Sequence, residues 1–349
     1  MPLDNSDIAE LLALRAEQVS GDRQRAYRRA SRAAYKWPDE VTTLVADGRP
    51  LTELTGIGIK LSGLIKSWLD DPPEVPDPPE SRAGFMTFAH ARSVIAATSD
   101  PMTVRGDLQM HTTSSDGRAS IEEMARAGAE LGYGYIAITD HSHGLKIAGG
   151  MDEAELADQG RAIDRVNEEL GSARVGFTVL KGLEMNLNPQ GHGDMDPKSL
   201  AQLDLVLGSF HSALRKEDDQ TDRYIAALRN PDIHVLGHPR GRIYNFRAGL
   251  SADWPKVFAI AAEEGKALEI DSFPDRQDLN VDLLRRARDA GVFISMGTDA
   301  HIQHELGFMP VGVASAIEAG IAPEMILNLM SADELRSWAS DPERRREGR

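Results

Sequence analysis

The chain has 349 residues, more than one typical domain, and 41% of them are hydrophobic, enough for a packed core. It contains no cysteine, which excludes disulfides, Cys-ligated zinc, iron–sulfur clusters and a Cys nucleophile; any metal must be held by imidazole, carboxylate, carbonyl or water. The formal net charge of −16 argues against a nucleic-acid binder that works by bulk charge, while leaving room for a local basic patch.

No apolar run approaches the ~20 residues that span a bilayer, and no N-terminal run carries a cleavage signal, so the sequence reads as cytoplasmic. Residues 1–70 read as helical. NSDIAELLALRAEQV offers Asn5 or Ser6 as caps and spaces its apolar residues by three and four. RQRAYRRASRAAYK follows, with six basic residues from Arg23 to Lys36 and no acid. LTELTGIGIKLSGLIKSWL then sets Gly56-Ile57-Gly58 between two helical stretches. DDPPEVPDPPE, from Asp70 to Glu80, can form neither a helix nor a central strand, so residues 71–103 are expected to be a linker and connecting segment. DPERRREGR, residues 341–349, reads as a charged, frayed tail.

Residues 104–340 follow another pattern. Seven β-prone runs recur: DLQMH, YIAITDH, FTVLKGLEMNL, DLVLGSFH, IHVLGHP, ALEID and GVFISMGTDAH. Amphipathic stretches lie between them. SIEEMARAGAELG carries a capping box in Ser120 and Glu123, and WPKVFAIAAEEG and NVDLLRRARDAG end in glycine. Seven strand–helix alternations predict an α/β fold with a parallel barrel, an open sheet being the rival.

Metal-type side chains fall at the ends of these strands. His111 ends the first, Asp140 and His141 the second; Glu184 lies in the third; His211 ends the fourth and His238 the fifth; Asp299 and His301 follow the seventh. In α/β barrels the loops after successive strands meet at one mouth, so these residues are expected to converge. Imidazole mixed with carboxylate favours Zn, Mn or Fe over Ca or Mg, and the ligands outnumber what one ion can use, so two or three divalent ions are expected. His234, within a strand, reads as structural; His143, His192 and His304 stay open. Arg240 and Arg242, just after His238, are the leading candidates for a bidentate phosphate clamp, ahead of Lys146, Arg247 and Arg276.

DLQMHTTSSDG, ITDHS, GLEMNL, SFHS, GHPRGR and MGTDAH resemble, in this order, the motifs of the PHP (polymerase and histidinol phosphatase) family, over residues 104 to 335. The resemblance implies a distorted (β/α)7 barrel, a trinuclear metal centre and hydrolysis of phosphate esters. Carried over by position, it implies one ion on His111, Glu184 and Asp299, a second on Glu184, His211 and His238, and a third on Asp116, His141 and His301. The family's opening His-x-His is here Gln109-Met110-His111, which leaves Gln109 as a candidate ligand through a carbonyl weaker than imidazole. Bound metals would supply both the nucleophile and charge stabilisation, so no Ser or Cys nucleophile is needed.

LTELTGIGIKLSGLI resembles a helix-hairpin-helix, a small all-α module that binds DNA backbone. Gly56 and Gly58 would form the turn that offers N–H groups to phosphate, with Lys60, Arg28, Arg29 and Arg32 adding charge. IAELL and QRAYRRASRAA resemble the N-terminal domain of family X DNA polymerases, whose bacterial members place a PHP domain after the catalytic core. Residues 71–103 leave no room for the polymerase palm, so polymerase activity is not expected. The expected function is a phosphoesterase acting on DNA 3′ ends or abasic sites, of 3′-5′ exonuclease or 3′-phosphatase type, with DNA as partner. The alternatives are a small-molecule phosphatase of histidinol-phosphate type and a non-catalytic DNA-binding module.

Overall fold

The computed structural model describes residues 2–99, 101–172 and 176–347. Its sheet has seven parallel strands in sequence order: β1 (Gly106–Asp107), β2 (Tyr135–Ile138), β3 (Thr178–Asn186), β4 (Leu205–Ser209), β5 (Val235–Leu236), β6 (Ala267–Asp271) and β7 (Phe293–Gly297). Parallel neighbours cannot be joined by a tight hairpin, so each connection crosses over, most of them through a helix. β2 and β7 are buried at every position, which is why YIAI is an apolar run and FISMG is apolar but for Ser295, with no polar alternation. The two edges nearly close: Met110 and Ala300 form a parallel bridge, with the His111 N–H donating to the Ala300 carbonyl at 2.8 Å. The α/β barrel with an all-helical region before it is thus present, and the open sheet is not.

At the N-terminal end of the strands, Leu108, Leu180, Leu205, Leu207, Val235 and Phe293 pack with Leu327, Leu335 and Trp338 of the closing segment. That plug seals one end of the barrel. His234 sits at this end, where its Nδ1 accepts the Val206 N–H at 3.0 Å, a structural role. The expected frayed tail is instead a helix, Pro342–Glu347, with Arg345 buried and donating to the Ala339 carbonyl. Carbonyls left open at the end of the preceding helix supply the reason.

The N-terminal region comprises α1 (Asn5–Glu17), α2 (Gly21–Ala34), α3 (Val41–Ala46) and α4 (Ile59–Asp70). The cap of α1 is Asp4, in a capping box with Asp7, rather than Asn5 or Ser6. Asn5 is buried instead, its side chain donating to the Asp39 carbonyl at 3.0 Å and accepting the Val41 N–H at 3.0 Å. Gly56 takes the left-handed φ +83 between α3 and α4, a backbone conformation that favours glycine, and packs beside Ala33 of α2. The 71–103 segment holds a helix the sequence reading missed, α5 (Phe88–Ala97), started by the Thr87 cap and packed through Ala91 and Val94 against Val311 and Ala314.

The helical core is not separate from the barrel. Tyr244, in the loop after β5, is buried within it, its ring tilted against that of Tyr35 at 4.5 Å between centroids and its hydroxyl 2.9 Å from that of Ser31. Arg82, from the connecting segment, is buried between Glu10 of α1 at 2.8 Å and Asn245 at 3.1 Å. Arg32 of α2 pairs with buried Asp275, in the loop after β6. Both loops lie at the C-terminal mouth, so the helices are clasped to that end.

Candidate metal centre

The mouth gathers the predicted ligands. Fully buried Glu184 occupies its middle, near the end of β3. Its Oε1 lies 2.7 Å from His238 Nε2 and 3.1 Å from His211 Nε2; its Oε2 lies 3.4 Å from His111 Nε2 and 3.1 Å from His141 Nδ1. His111 Nε2 is also 3.0 Å from Asp299 Oδ1. To one side, Asp116 Oδ1 lies 3.3 Å from His301 Nε2 and 3.6 Å from His141 Nε2. The His111 and His141 rings stack at 4.4 Å.

These separations suit cations. Ligands at ~2.1 Å from a shared tetrahedral ion lie roughly 3.4 Å apart. Three sets of ligand atoms fall within 4.8 Å of one another: His111, Asp116, His141 and His301; His141, Glu184 and His211; and His111, Glu184 and Asp299. The buried Nδ1 of His141 lacks a hydrogen bond, because Glu184 is close but poorly aligned. A buried ring nitrogen aimed at a carboxylate without bonding it fits a shared ion. His238 and Asp299 adopt φ +21 and +49, conformations that non-glycine residues rarely take and that cluster at functional sites.

The electrostatics follow from the crowding. Burial pushes the Glu184 carboxyl upward, but His141, His211 and His238 outweigh it and hold the group well below the usual range. Burial opposes charge on His238, yet Glu184 and then Glu269 lift it to about 10. His301 is likewise opposed by burial and lifted by Asp116 and Asp299 to about 9. His141 is pushed down to about 4 by burial and by the neighbouring rings of His111 and His211, against the pull of Glu184.

Other residues hold this set in place. Asp140 accepts from the Thr112 backbone at 2.8 Å, Ser115 Oγ at 2.5 Å and Gln159 Nε2 at 2.6 Å, fixing the loop that carries Asp116. Asn186 Oδ1 accepts from His211 Nδ1 at 3.2 Å, and the Asp299 carbonyl from His301 Nδ1 at 2.8 Å, so each Nε2 faces inward. Gln109 is buried with its amide nitrogen toward both oxygens of Glu269, at 2.5 and 2.9 Å, the orientation that matches donors to acceptors. Glu269 also accepts the His238 N–H at 2.6 Å, and a Cβ at Gly297 would collide with this pair. Sequence reading missed Glu269 and Asn186. The signal for Glu269 is an acid in the middle of ALEID, a strand otherwise read as buried.

The proposed clamp residues lie elsewhere. Arg240 Nε donates to the Leu250 carbonyl at 3.2 Å, and its guanidinium lies 3.7 Å from Glu80. Arg242 stacks on Phe85 at 3.6 Å and donates to the Ala83 and Gly84 carbonyls at 3.1 Å. Both backbone N–H groups are drawn to buried Asp278, which turns the side chains toward the connecting segment and away from the mouth. The arginines lining the mouth are Arg247 and Arg276, the latter 3.4 Å from Asp299 Oδ2. Of the basic residues expected to meet DNA, Arg28, Arg29 and Lys60 are exposed, as are Gly56 and Gly58. Arg32 is exposed as well, but its guanidinium is paired with buried Asp275.

A seven-stranded parallel barrel with His, Asp and Glu side chains gathered at its mouth, in sets that could hold metal ions, is the class of protein this architecture defines. Residues 107–272, the stretch that runs from β1 through β6, match the family model described as PHP domain. The chain is 37% identical over 236 residues to a Bacillus subtilis (strain 168) protein named DNA polymerase/3'-5' exonuclease PolX; the match takes in 67% of this chain and 41% of that one, so this chain spans less than half of that relative's length. It is 29% identical over 234 residues to a protein named "Probable phosphatase" from Thermoanaerobacter sp. (strain X514), covering 64% of this chain and 89% of that one. A solved structure from Listeria monocytogenes, described as "putative histidinol phosphatase hisK", aligns with a TM-score of 0.46 at 13% identity, over 58% of this chain and 97% of that one. Among the described residues no helix is long and apolar enough to cross a membrane.

Proposed function

We propose that this protein is a metal-dependent phosphoester hydrolase that removes nucleotides or phosphate from DNA 3′ ends or acts at abasic sites. The observation that carries the hydrolase reading is the convergence of four imidazoles on the two oxygens of one buried carboxylate, Glu184. Divalent ions bound there supply Lewis acidity, lowering the pKa of water and neutralising phosphate charge. In this reading His111, Glu184 and Asp299 hold one ion, Glu184, His211 and His238 a second, and Asp116, His141 and His301 a third.

The chain's own groups do the rest. Arg276 and Arg247 give the open side of the mouth positive charge for phosphate oxygens. Asn186 and the Asp299 carbonyl fix ring tautomers, so that Nε2 lone pairs stay directed inward. Gln109, tied to Glu269, acts as an outer support of the first subsite rather than as a strong ligand. The DNA part of the reading rests on the clasp between the helices and the mouth, the relative named PolX, and the start of α4 at Gly58 without a side-chain cap. Lys60, exposed on the first turn of α4, adds charge at that point.

A small-molecule phosphatase is the second reading, favoured by relatives named as phosphatases whose own length is matched almost throughout. The test is turnover of the Mn²⁺-loaded protein on a 3′-ended oligonucleotide, abasic DNA and histidinol phosphate. Release of nucleotide or phosphate from DNA is the expected result. Turnover of the small monoester alone would replace the first reading by the second.

A further inference from the structure

The rim of the mouth carries an aromatic side chain that the hydrolytic chemistry does not use. Phe246 is 59% exposed, the one aromatic among the exposed large hydrophobic residues described. An exposed ring on a floppy loop would mean little, but this one sits on a braced hairpin. Ile243 and Arg247 are bridged by two backbone hydrogen bonds of 2.9 Å. Between them Tyr244 is buried in the helical core, and Asn245, at φ +53, donates its N–H to the Ser81 carbonyl at 2.8 Å and accepts from Arg82. Both residues before Phe246 are therefore anchored, and the ring is held out at the tip. The guanidinium of Arg215, from the loop after β4, lies 4.6 Å from the ring centroid. Arg247, next in the chain, lines the mouth with His211, His238, Asp299 and Arg276.

An aromatic face backed by guanidinium, beside cations that lead into a phosphate-type pocket, is the combination that binds unpaired nucleotides: the base stacks, the backbone follows the charge, and no base-edge reader is needed. We propose that Phe246 and Arg215 form a stacking platform for the base of the terminal nucleotide while its phosphoester lies in the metal-type pocket. This rests on the hydrolase reading above and deepens it, making the preferred substrate a strand end with an unpaired base. A base-paired terminus offers only its outer face and is held by its partner strand, so it must unpair before it can swing onto the platform.

The test compares the Mn²⁺-loaded full chain with its Phe246→Ala, Phe246→Trp and Arg215→Ala variants. Three probes are used: a single-stranded oligonucleotide with an ordinary 3′ nucleotide, the same strand ending in a tetrahydrofuran sugar without a base, and a small phosphate monoester. Phe246→Ala is expected to raise KM on the first probe by on the order of 10-fold with little change in kcat, to leave the other two unchanged, and to be rescued by Phe246→Trp. Arg215→Ala is expected to act in the same direction by a smaller factor. An equal effect on the base-bearing and base-less ends, or none on the base-bearing end, would overturn the platform while the hydrolase reading stands. A wild-type protein that turns over the monoester but no DNA would overturn the DNA reading itself and the platform with it, an outcome visible before any variant is made.

Discussion

At the mouth of the barrel His238 is lifted to about 10, while at the sealed end His234 is pushed down to about 3. Both rings feel burial, which disfavours charge. They differ in their neighbours: His238 faces Glu184 and Glu269, whereas His234 faces Arg345 and Lys266. One scaffold therefore holds imidazole in opposite states. Beside His238 the carboxylates call for cations, protons or metal ions; at the other end a neutral ring accepts the Val206 N–H and bonds the Ala339 backbone.

The sharpest way to break this contrast is at Glu184. Glu184→Gln keeps the shape but removes the charge on which four rings converge, and is expected to cut phosphoesterase turnover by on the order of 10³-fold with loss of bound metal, read by steady-state kinetics and elemental analysis. An active, fully metallated variant would show that the ligand map is wrong. Next in size is metal removal. Chelation is expected to abolish turnover and to lower thermal stability, since an ion at ~1,000-fold excess over its Kd adds about 4 kcal/mol. In the metal-free protein His238 and His301, at about 10 and about 9, hold protons at pH 8. Metal uptake should therefore release protons into a weakly buffered solution, and apparent affinity should rise as pH approaches those values.

Smaller effects sharpen the comparison. Asn186→Ala frees the His211 ring and is expected to weaken metal affinity about 10- to 100-fold without unfolding the barrel, measured by competition with a chromophoric chelator. The smallest effect belongs to His234. Its folded pKa lies below the unfolded value, so the stability tied to its neutral form is complete above about 6.5 and drains away as pH falls from there toward about 3. His234→Gln should flatten that acid limb by roughly 1–2 kcal/mol near pH 5 in urea titrations, with turnover unchanged.

Most of the barrel was legible in the sequence because its signals are local. Seven buried runs, the Ser120 box and the glycine after helix Trp254–Glu264 each announce an element without help from the rest of the chain. The convergence of His111, Glu184, His238 and Asp299 was legible because a parallel barrel sends every strand end to one rim. What stayed hidden depends on distant partners. Arg240 and Arg242 sit where a phosphate clamp would be expected, yet Asp278, nearly forty positions on, turns them aside. Arg32 looks like one more solvated cation of a basic helix until Asp275 takes it. The identity of Glu269 as the partner of Gln109 required the closure of β1 onto β7, which no local pattern encodes.

The interlocked aromatics at Tyr244 bear on how the molecule can be dissected. Tyr35, Phe85 and Tyr244 make one pile contributed by three separate stretches of chain. The helices are therefore no detachable cassette: trimming the first seventy-five residues would strip that pile bare and take the Arg32 partner from buried Asp275. Halves produced by such surgery should precipitate, and a shortened protein that fails on DNA would report a damaged barrel, not a lost grip.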